Sequence, residues 1–504
     1  MPIDFDRRRF LASTLTVATA SGIGSVLPVF PQRAFAAAPT RLIVDRRTLD
    51  VKGKAASVFG IRQPNGTHGV TLDPGDRFAV DVANRLQDDT IVHWHGQTPP
   101  NVQDGVEETG SAPIKPGGRQ SYDFAPRPGT HWMHSHRGLQ EQRLMAAPLV
   151  VRSADDARLD AQEVTVLLHD FSFRDPAELF ATVTGGAMAH GMMQGAQMPG
   201  MAHGTMQGTP MPGMTGGSHA GHTMSGMAMP NGSMDLNDID YDAYLANDRT
   251  LDDPLVVRTE RHGRVRVRLI NAATSTAFWI DLGHIAARVL AVDGNPVQPV
   301  TASRFPLAQG QRLDLLIAMP AGGGTVPVLA QREGDRTRTG IVLAPPGAAV
   351  TRIAEQAAKA AAPIDLSMEA RLVAMAPLAS RPAEVTHRVT LDGSMMPYAW
   401  TIDGRDWTMH TPLRLAKGQR VIVEMVNRSP MAHPMHLHGH HFQVVALNGR
   451  PSNGARRDTV LVPRMGAVTI AFDADNPGRW LLHCHNLLHM ASGMMTEIAY
   501  DPPT

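Results

Sequence analysis

The residues with the clearest metal chemistry lie near the C-terminus of this sequence, where Cys484 stands between His483 and His485. Cys484 is the only cysteine among 504 residues, so it is either an inert core residue or a reactive thiolate. His489 follows five residues later and Met494 ten residues later. A thiolate, imidazoles and a weak thioether are the ligands of a blue-copper electron-transfer site, and we therefore predict such a site around Cys484.

The other ligands of this predicted cysteine site come from nearby positions. We expect His433 to supply the second imidazole, because it lies just ahead of another His-x-His pair, His436 and His438. We assign the weak thioether to Met494, with the adjacent Met495 as the alternative. Neighbouring side chains of a strand point to opposite faces, so the two histidines beside the cysteine are predicted to reach a second group of metal ions.

An earlier stretch of the chain repeats this arrangement in weakened form. Asn84 and Asn427 each end an alternating apolar segment, and a His-x-His-Gly motif begins nine residues after each. Pro128-Gly129 precedes His134-Ser135-His136 by the offset at which Pro477-Gly478 precedes the cysteine motif. In this alignment, the strong ligands of the cysteine site are replaced by Thr90, Ser135 and Gln140. The first copy therefore keeps both His-x-His pairs but lacks a cysteine site.

A third copy of the alternating segment, Arg264 to Asn271, has no His-x-His pair after it. We interpret the three copies as three related domains, of which the first and the last face each other and share a metal cluster. The histidines predicted to hold that cluster are His93, His95, His134, His136, His436, His438, His483 and His485.

These motifs resemble those of the three-domain multicopper oxidases. Four His-x-His pairs, His433, and the cysteine motif followed by His489 and Met494 carry the resemblance, which covers essentially the whole chain after residue 38. Within that family, the copper-resistance oxidases and the bacterial laccase-like enzymes are the most similar. The resemblance implies an all-β fold of three cupredoxin-like Greek-key β-sandwich domains. It also implies copper as the cofactor, with one type 1 ion, one type 2 ion and a type 3 pair.

The resemblance further implies a role for each motif. The type 1 copper is expected at the cysteine site, where it would accept one electron at a time from a reductant. His93 and His436 are expected to hold the type 2 copper, and the six other histidines of the cluster are expected to hold the type 3 pair. Electrons would pass through Cys484 and its neighbours His483 and His485 to these three coppers, which would reduce O₂ to water.

Two positions bear on the supply of protons for this reaction. By resemblance, Asp104 matches the acidic residue near the trinuclear cluster of the family, where it would orient water and help to deliver protons. Its alternative role is that of a loop carboxylate capping the turn at Asp104-Gly105. Met490 stands where several bacterial relatives carry an acidic residue, which leaves Asp104, together with Cys484, as the predicted catalytic residues.

Strand and turn patterns favour the same fold. Phe78, Val80 and Val82 alternate with polar or small residues, as in a half-buried strand. Short strands separated by Pro/Gly turns are typical of a β-sandwich. Domain 2 is expected to be a spacer, and an alanine-rich part of the following linker, 351–362, is predicted to be helical. The predicted boundaries are 1–38 for a signal peptide, 39–153 for domain 1, 154–349 for domain 2 with an insert at 185–234, 350–378 for the linker and 379–504 for domain 3.

The N-terminus has the pattern of an export signal. Asp6-Arg7-Arg8-Arg9-Phe10-Leu11 resembles a twin-arginine motif, and a mildly apolar run follows to Phe30. Ala34-Phe35-Ala36 fits a cleavage site, with an uncleaved membrane anchor as the alternative. Because the twin-arginine route exports folded proteins, we expect a periplasmic protein without stable membrane insertion after cleavage.

The insert at 185–234 has an unusual composition. It contains twelve methionines and four histidines among Gly, Pro, Ser and Thr. Soft thioether ligands favour Cu(I), so the insert is interpreted as a copper-recruiting segment. The alternative is a low-complexity loop with incidental methionines.

Charge and composition limit the function. The formal net charge is zero, which gives no basic field for binding nucleic acid or an anionic membrane. The expected partners are O₂, Cu(I) or a small phenolic reductant, and transient periplasmic copper donors. Three functions remain: a Cu(I) oxidase in copper tolerance, a laccase-like phenol oxidase, and a copper-sequestering protein.

Overall fold

Strands are the main regular structure of the computed structural model, which describes residues 38–185 and 236–502. The twin-arginine motif and residues 186–234 of the predicted insert lie outside these ranges. Within them, the strands form six sheets, which pack as three β-sandwiches. Three short α-helices are α1 (Ala154–Arg158), α2 (Pro176–Thr184) and α3 (Leu487–Ala491). No helix of the described ranges is both long and apolar enough to span a bilayer.

Domain 1 pairs two four-stranded sheets, with strand orders β2-β1-β4-β6 and β3-β8-β7-β5. Phe78, Val80 and Val82 are buried in β4, as their alternation predicted. The strands are β1 (Thr40–Val51), β2 (Lys54–Arg62), β3 (Val70–Leu72), β4 (Phe78–Asn84), β5 (Val92–His93), β6 (Arg119–Phe124), β7 (Gly129–Ser135) and β8 (Ala146–Val151).

Domain 2 pairs a six-stranded sheet, β10-β9-β12-β17-β14-β15, with a five-stranded sheet, β11-β19-β18-β13-β16. The helix α2 follows β9 and leads into the predicted insert, and β10 begins soon after the insert. The strands are β9 (Gln162–Phe171), β10 (Ala243–Ala246), β11 (Val256–Arg258), β12 (Arg264–Asn271), β13 (Phe278–Asp281), β14 (Ala287–Val292), β15 (Asn295–Ala302), β16 (Arg304–Leu307), β17 (Arg312–Ala318), β18 (Val326–Arg332) and β19 (Arg338–Ala344).

Domain 3 pairs a sheet of order β21-β20-β23-β29-β25-β26, with β27 also on β25, and a sheet of order β22-β31-β30-β24-β28. The helix α3 connects β30 to β31. The strands are β20 (Val385–Met395), β21 (Tyr398–Ile402), β22 (Leu413–Leu415), β23 (Arg420–Asn427), β24 (His433–Leu437), β25 (Phe442–Leu447), β26 (Arg450–Pro451), β27 (Arg456–Arg457), β28 (Thr459–Val462), β29 (Ala467–Asp473), β30 (Arg479–Cys484) and β31 (Met495–Tyr500).

The three domains repeat one topology. Each has the same parallel strand pair in its first sheet, β1 with β4, β9 with β12 and β20 with β23. The asparagine that ends the second strand of each pair is buried, and its side-chain oxygen accepts a hydrogen bond from the backbone amide two residues on. Its side-chain nitrogen donates to backbone carbonyls of later loops and strand ends. Asn84, Asn271 and Asn427 therefore fix the same sharp turn three times.

Strand β12, at the interface between domains 1 and 2, is not amphipathic. The alternation of apolar residues with arginines predicts the strand β12, but Arg266 and Arg268 are buried as well. Arg268 donates to the Thr130 hydroxyl of domain 1 at 2.9 Å and to Asp314 at 3.0 Å. Both faces of β12 are thus buried. The guanidinium groups can be buried because carboxylates compensate their charges and domain 1 supplies a hydrogen-bond acceptor.

The predicted linker helix is wrong, because residues 351–362 form no helix. Their backbone pairs instead with the β18–β19 hairpin of domain 2, through bridges that join Glu333 to Ala361 and Thr337 to Gln356. The indole of Trp279 also donates to the Ala362 carbonyl at 2.8 Å. These tertiary hydrogen bonds outweigh the helix propensity of a short alanine-rich segment, which is marginal alone.

Candidate metal centres

The predicted cysteine site is assembled from two strands and a helix of domain 3. Cys484 ends β30, His433 begins β24, and His489 lies in α3. The Sγ atom is 3.7 Å from Nδ1 of each histidine, and the two Nδ1 atoms are 3.1 Å apart. Asn486 caps α3 by accepting hydrogen bonds from the amides of Leu488 and His489, which fixes the start of the helix. Three ligand atoms therefore converge on one buried point.

The outer nitrogens of both imidazoles are already engaged. Nε2 of His433 lies 2.7 Å from the Ser429 hydroxyl, and Nε2 of His489 lies 3.2 Å from an Asp238 carboxylate oxygen. Such partners fix the tautomer and the orientation of a metal-binding histidine. Burial and the neighbouring His489 ring lower the pKa of His433 well below its ordinary value, which favours the neutral imidazole that can bind a metal. The donor set fits a copper ion.

The neighbouring clusters favour Met494 over Met495 as the axial ligand. Met494 is fully buried in the apolar cluster that contains Cys484 and Leu488, whereas Met495 packs with Leu481 in a different cluster. Burial raises the pKa of the Cys484 thiol above its usual range. A thiolate at this position therefore needs a bound cation to form.

The eight predicted cluster histidines line one buried space between domains 1 and 3. In domain 1, β5 and β7 place His93 opposite His134, and in domain 3, β24 and β30 place His436 opposite His483. Nδ1 of His95 lies 3.2 Å from Nε2 of His485, so contacts also run between the domains. Buried Nε2 atoms without a hydrogen-bond partner in the described chain belong to His93, His134, His136 and His436. Three groups of histidines have ligand atoms that lie within 4.8 Å of one another. They are His93 with His95 and His134, His93 with His436 and His438, and His136 with His438 and His483.

The outer ring nitrogens of several of these histidines contact backbone carbonyl or carboxylate oxygens. Backbone carbonyls accept from Nδ1 of His93, His436 and His483, each at 2.9 Å. Carboxylates lie against His134, at 2.9 Å, His438, at 2.9 Å, and His95, at 3.1 Å. Burial and neighbouring rings hold the pKa well below its ordinary value in His95, His134, His438, His483 and His485. Neutral imidazoles with inward lone pairs are suited to several copper ions.

The Asp104 side chain joins the two halves of the cluster. It is fully buried, with Oδ2 at 2.9 Å from Nδ1 of His438 and Oδ1 at 3.3 Å from Nδ1 of His93. Only its backbone amide takes part in the local turn, by donating to the Asn101 carbonyl at 3.1 Å. The carboxylate therefore faces the histidines and does not cap the turn at Gly105.

An ion pair that sequence reasoning missed lies behind His95 and His436. Asp458 is buried, accepts from the Arg312 guanidinium in two places, and lies 3.1 Å from Nε2 of His95. Arg312 comes from domain 2, so this domain reaches the cluster and is more than a spacer. Asp458 directly precedes the apolar strand β28, and a charged residue at that position was the available signal for it. Arg312 gave none, because its partner lies 146 residues away.

Two other carboxylates at the centres were also missed. Glu141 is buried, with Oε2 at 2.9 Å from Nδ1 of His134. The internal repeat contained a signal for it, because aligning Gln140 with His489 places Glu141 at the position of Met490. Asp238 touches His489 across 251 residues of sequence and gave no signal.

Known proteins share this fold and these motifs. Multicopper oxidase family models match residues 44–156, 165–344 and 380–504. Multicopper oxidase MmcO of Mycobacterium tuberculosis is 33% identical over 84% of this chain and 80% of its own length. The copper resistance protein A homolog of Pseudomonas syringae pv. tomato is 25% identical, over 91% and 92% of the two chains. The crystal structure of the laccase from Botrytis aclada has the same fold, with a TM-score of 0.69, 22% identity, and coverage of 91% of this chain and 87% of that one.

The chain belongs to the multicopper oxidase family. It is a copper-dependent oxidoreductase built from three cupredoxin-like β-sandwiches, which confirms the predicted family and fold class.

Proposed function

We propose that this chain is a periplasmic Cu(I) oxidase of copper tolerance. The observation that carries the proposal is the position of Asp238, whose fully buried carboxylate lies 3.2 Å from Nε2 of His489 at the cysteine site. Asp238 follows Met234, the last methionine of the insert, by four residues. The chain that follows a segment rich in Cu(I) ligands is thereby held, at Asp238, beside the site where an electron would enter.

The proposed enzyme has its domain boundaries at 39–153, 154–349 and 379–504. We assign the cysteine-site copper to His433, Cys484, His489 and Met494, the type 2 copper to His93 and His436, and the type 3 pair to the remaining cluster histidines. These coppers would store electrons from single-electron donors until four can reduce O₂ to water. Cys484 supports the transfer because its chain neighbours, His483 and His485, face the cluster.

Asp104 is proposed to supply protons to the cluster. Its contacts with His93 and His438 support this role, because they place a carboxylate beside both predicted copper types. Asp104→Asn keeps the size and loses the ionisable group, so steady-state O₂ reduction should fall about 10²-fold. Anaerobic reduction of the blue copper should proceed as in the unmodified enzyme. Unchanged O₂ turnover between pH 5 and 8 would leave Asp104 a purely structural role.

Export by the twin-arginine route is proposed from Arg7 and Arg8. Replacing both by lysine should leave the precursor in the cytoplasm, because the motif is read by a receptor. Cell fractionation measures this, and normal periplasmic accumulation of the variant would contradict the proposal.

Deleting the insert tests the Cu(I) proposal. The deletion should remove 186–234 and keep Asp238, so that the contact with His489 survives. Oxygen uptake with low concentrations of Cu(I) should fall about tenfold, because capture by soft ligands is lost, while uptake with a small phenol should hold steady or rise. A matched control replaces the twelve methionines of the insert by glutamine, which keeps its length. Equal effects on both reductants, or none on either, would reduce the insert to a linker.

A phenol oxidase is the second candidate, and one cavity favours it. A cavity of about 530 Å³ lies beside the cysteine site, between domains 2 and 3. Met431 and Ala432, just before His433, contribute to its wall, together with Leu461 and the buried Glu333 carboxyl. Burial raises the pKa of Glu333 to about 7. An aromatic ring with a hydroxyl group fits such a mixed wall. Faster turnover with a phenol than with Cu(I) at equal concentration would favour this function, and absence of O₂ uptake with either would favour copper sequestration.

A further inference from the structure

A second polar cavity lies on the side of domains 1 and 3 that carries no proposed copper ligand. Its volume is about 350 Å³. Thr98 and Arg127 of domain 1 face Arg456 of domain 3 across it, and His440 and His441 form its inner wall. The cavity lies behind the loops that carry His95 and His438, since Nε2 of His441 donates to the Gly96 carbonyl at 2.8 Å.

The two arginines of this cavity, Arg127 and Arg456, have few hydrogen-bond partners and no anionic partner among the described residues. Nε of Arg127 and Nε of Arg456 are buried and have no hydrogen-bond partner in the described chain. Their terminal nitrogens make only long contacts, to Asn295 at 3.4 Å and to the His441 carbonyl at 3.3 Å. Neither guanidinium forms an ion pair with any residue in the described ranges. Burial lowers the pKa of both, and the positive charge of Arg456 lowers that of Arg127 further.

Other arginines of the chain with a buried Nε do have a carboxylate or an aromatic ring as a partner. Arg268 and Arg332 also have a buried, unpartnered Nε, but both place their terminal nitrogens on carboxylates. Arg304 lies over the Trp279 ring. Arg457, the chain neighbour of Arg456, is held by Asp293 and Glu369. A guanidinium that gives up water without an anionic partner is costly, so the cavity arginines lack what their counterparts have.

The carboxylates and imidazoles that line the cavity do not supply the missing partner. Asp473 is already paired with Arg381 and Arg420. Asp475 is exposed and forms no ion pair with a described residue. His440 donates from Nδ1 to the His438 carbonyl and accepts from the Tyr500 hydroxyl, so it has no donor left. Neither guanidinium group therefore has an anion in direct contact, although the negative charges of Asp473 and Asp475 act on Arg456 from a distance.

We propose that this cavity binds a small oxyanion, of the phosphate or sulfate class, between Arg127 and Arg456, with the Thr98 hydroxyl as a further donor. Planar guanidinium groups present paired N–H donors that match oxyanions. The anion would connect domain 1 to domain 3 directly behind the histidine loops. It would stabilise the arrangement in which the two domains share the metal cluster, and it would not touch the reacting atoms.

Thermal unfolding of the copper-loaded chain tests the proposal, with inorganic phosphate as the probe and chloride at equal ionic strength as the reference. Phosphate should raise Tm in a saturable way, by an amount that exceeds the effect of chloride. Arg456→Gln and Arg127→Gln should each weaken phosphate binding by about tenfold or more, because each removes a charge-assisted pair of hydrogen bonds. Arg414→Gln is the matched control, since Arg414 is 64% exposed and does not line the cavity.

Two further variants keep the proposal open to refutation. Arg456→Lys keeps the charge and the fold but loses the fork geometry, so phosphate binding should weaken although the blue colour is retained. Asp475→Asn removes a nearby negative charge and should tighten binding about threefold. A Tm shift no larger than that of chloride, full binding in either glutamine variant, or unchanged affinity in Asp475→Asn would overturn the proposal. Sulfate in place of phosphate should give the same pattern.

Discussion

Domain 1 contains a cluster that has the shape of a copper site and none of its strong ligands. The hydroxyls of Thr90 and Ser135 both approach Oε1 of Gln140, at 2.9 and 2.8 Å. Sδ of Met145 lies 3.4 Å from the Thr90 hydroxyl, and its backbone carbonyl accepts from the Ser135 amide at 3.1 Å. The cluster is held together by ordinary hydrogen bonds among neutral groups.

Domain 3 places metal ligands on the same backbone frame. Cys484 donates its amide to the Met494 carbonyl at 3.0 Å, as Ser135 does to Met145 in domain 1. His433 and His489 approach each other and the thiol where domain 1 has Thr90 and Gln140. The repeat also places a methionine ten residues after Ser135 and after Cys484, namely Met145 and Met494.

The comparison separates what the fold provides from what the side chains provide. One backbone frame brings four side chains together in both domains, so the frame alone does not make a metal site. In domain 1, the Gln140 amide and the hydroxyls of Thr90 and Ser135 satisfy one another, and none of these three groups is charged. In domain 3, two imidazole nitrogens and a thiol face each other without a shared proton donor that would satisfy all three. Such a set is completed by a cation.

The largest expected difference between the two clusters lies in the sulfur. Cys484→Ser should abolish the blue colour and turnover, because the colour depends on a thiolate bound to Cu(II), while the type 2 and type 3 coppers stay bound. Ser135→Ala at the equivalent position should keep colour and turnover and cost about 1 kcal/mol of stability. Absorbance, copper content and O₂ uptake measure these outcomes. Blue colour in Cys484→Ser would refute the assignment of the thiolate.

This comparison also shows how far the sequence could lead. The His-x-His pairs of domains 1 and 3 and the motif from Cys484 to Met494 predicted the copper ligands that we propose, because such motifs are local in sequence. The carboxylates behind the ligands were harder to find. Asp458 reaches Arg312, and Asp238 reaches His489, only after separate domains have packed. No local pattern encodes such contacts, and the same packing replaced the predicted helix at 351–362 with strand-like pairing.

Transplanting the ligands should convert the domain 1 cluster into a metal site. The triple variant Thr90→His, Ser135→Cys, Gln140→His restores the full set beside Met145, on a frame that already matches. We expect one more copper per chain and up to about twice the blue absorbance, with a stability loss of about 1–3 kcal/mol from overpacking. Copper analysis and visible absorbance of the Cys484→Ser background isolate the new site. A folded but colourless triple variant would show that the two frames differ in geometry after all.

Domain 1 has an acidic residue, Glu141, at the position where domain 3 has Met490. We expect an effect of intermediate size from replacing it. Oε2 of Glu141 lies 2.9 Å from Nδ1 of His134, whereas the equivalent Met490 is apolar. Glu141→Leu should lower copper retention about tenfold, because Nδ1 of His134 then keeps only the Ser135 carbonyl, at 3.1 Å, as a partner. Glu141→Gln should restore most of it, since the amide oxygen still accepts. Copper content after dialysis against a chelator gives the measurement. Met490→Leu is the control at the equivalent position, and an equal loss in that variant would contradict a role specific to Glu141.

The smallest effect is expected from the Thr90 hydroxyl, and it tests whether the domain 1 cluster is purely structural. Thr90→Val keeps the side-chain shape and removes one hydrogen bond to Gln140, which still accepts from Ser135. Because Thr90 is fully buried, the free energy of unfolding should fall by about 0.5–1.5 kcal/mol. Denaturant unfolding measures that loss. Colour, copper content and O₂ uptake should all stay at their original values, because the Thr90 side chain is linked to the metal cluster only indirectly, through its hydrogen bond to Gln140. If turnover fell along with stability, the domain 1 cluster would have to be assigned a part in positioning His134 and His136, the pair that flanks Ser135.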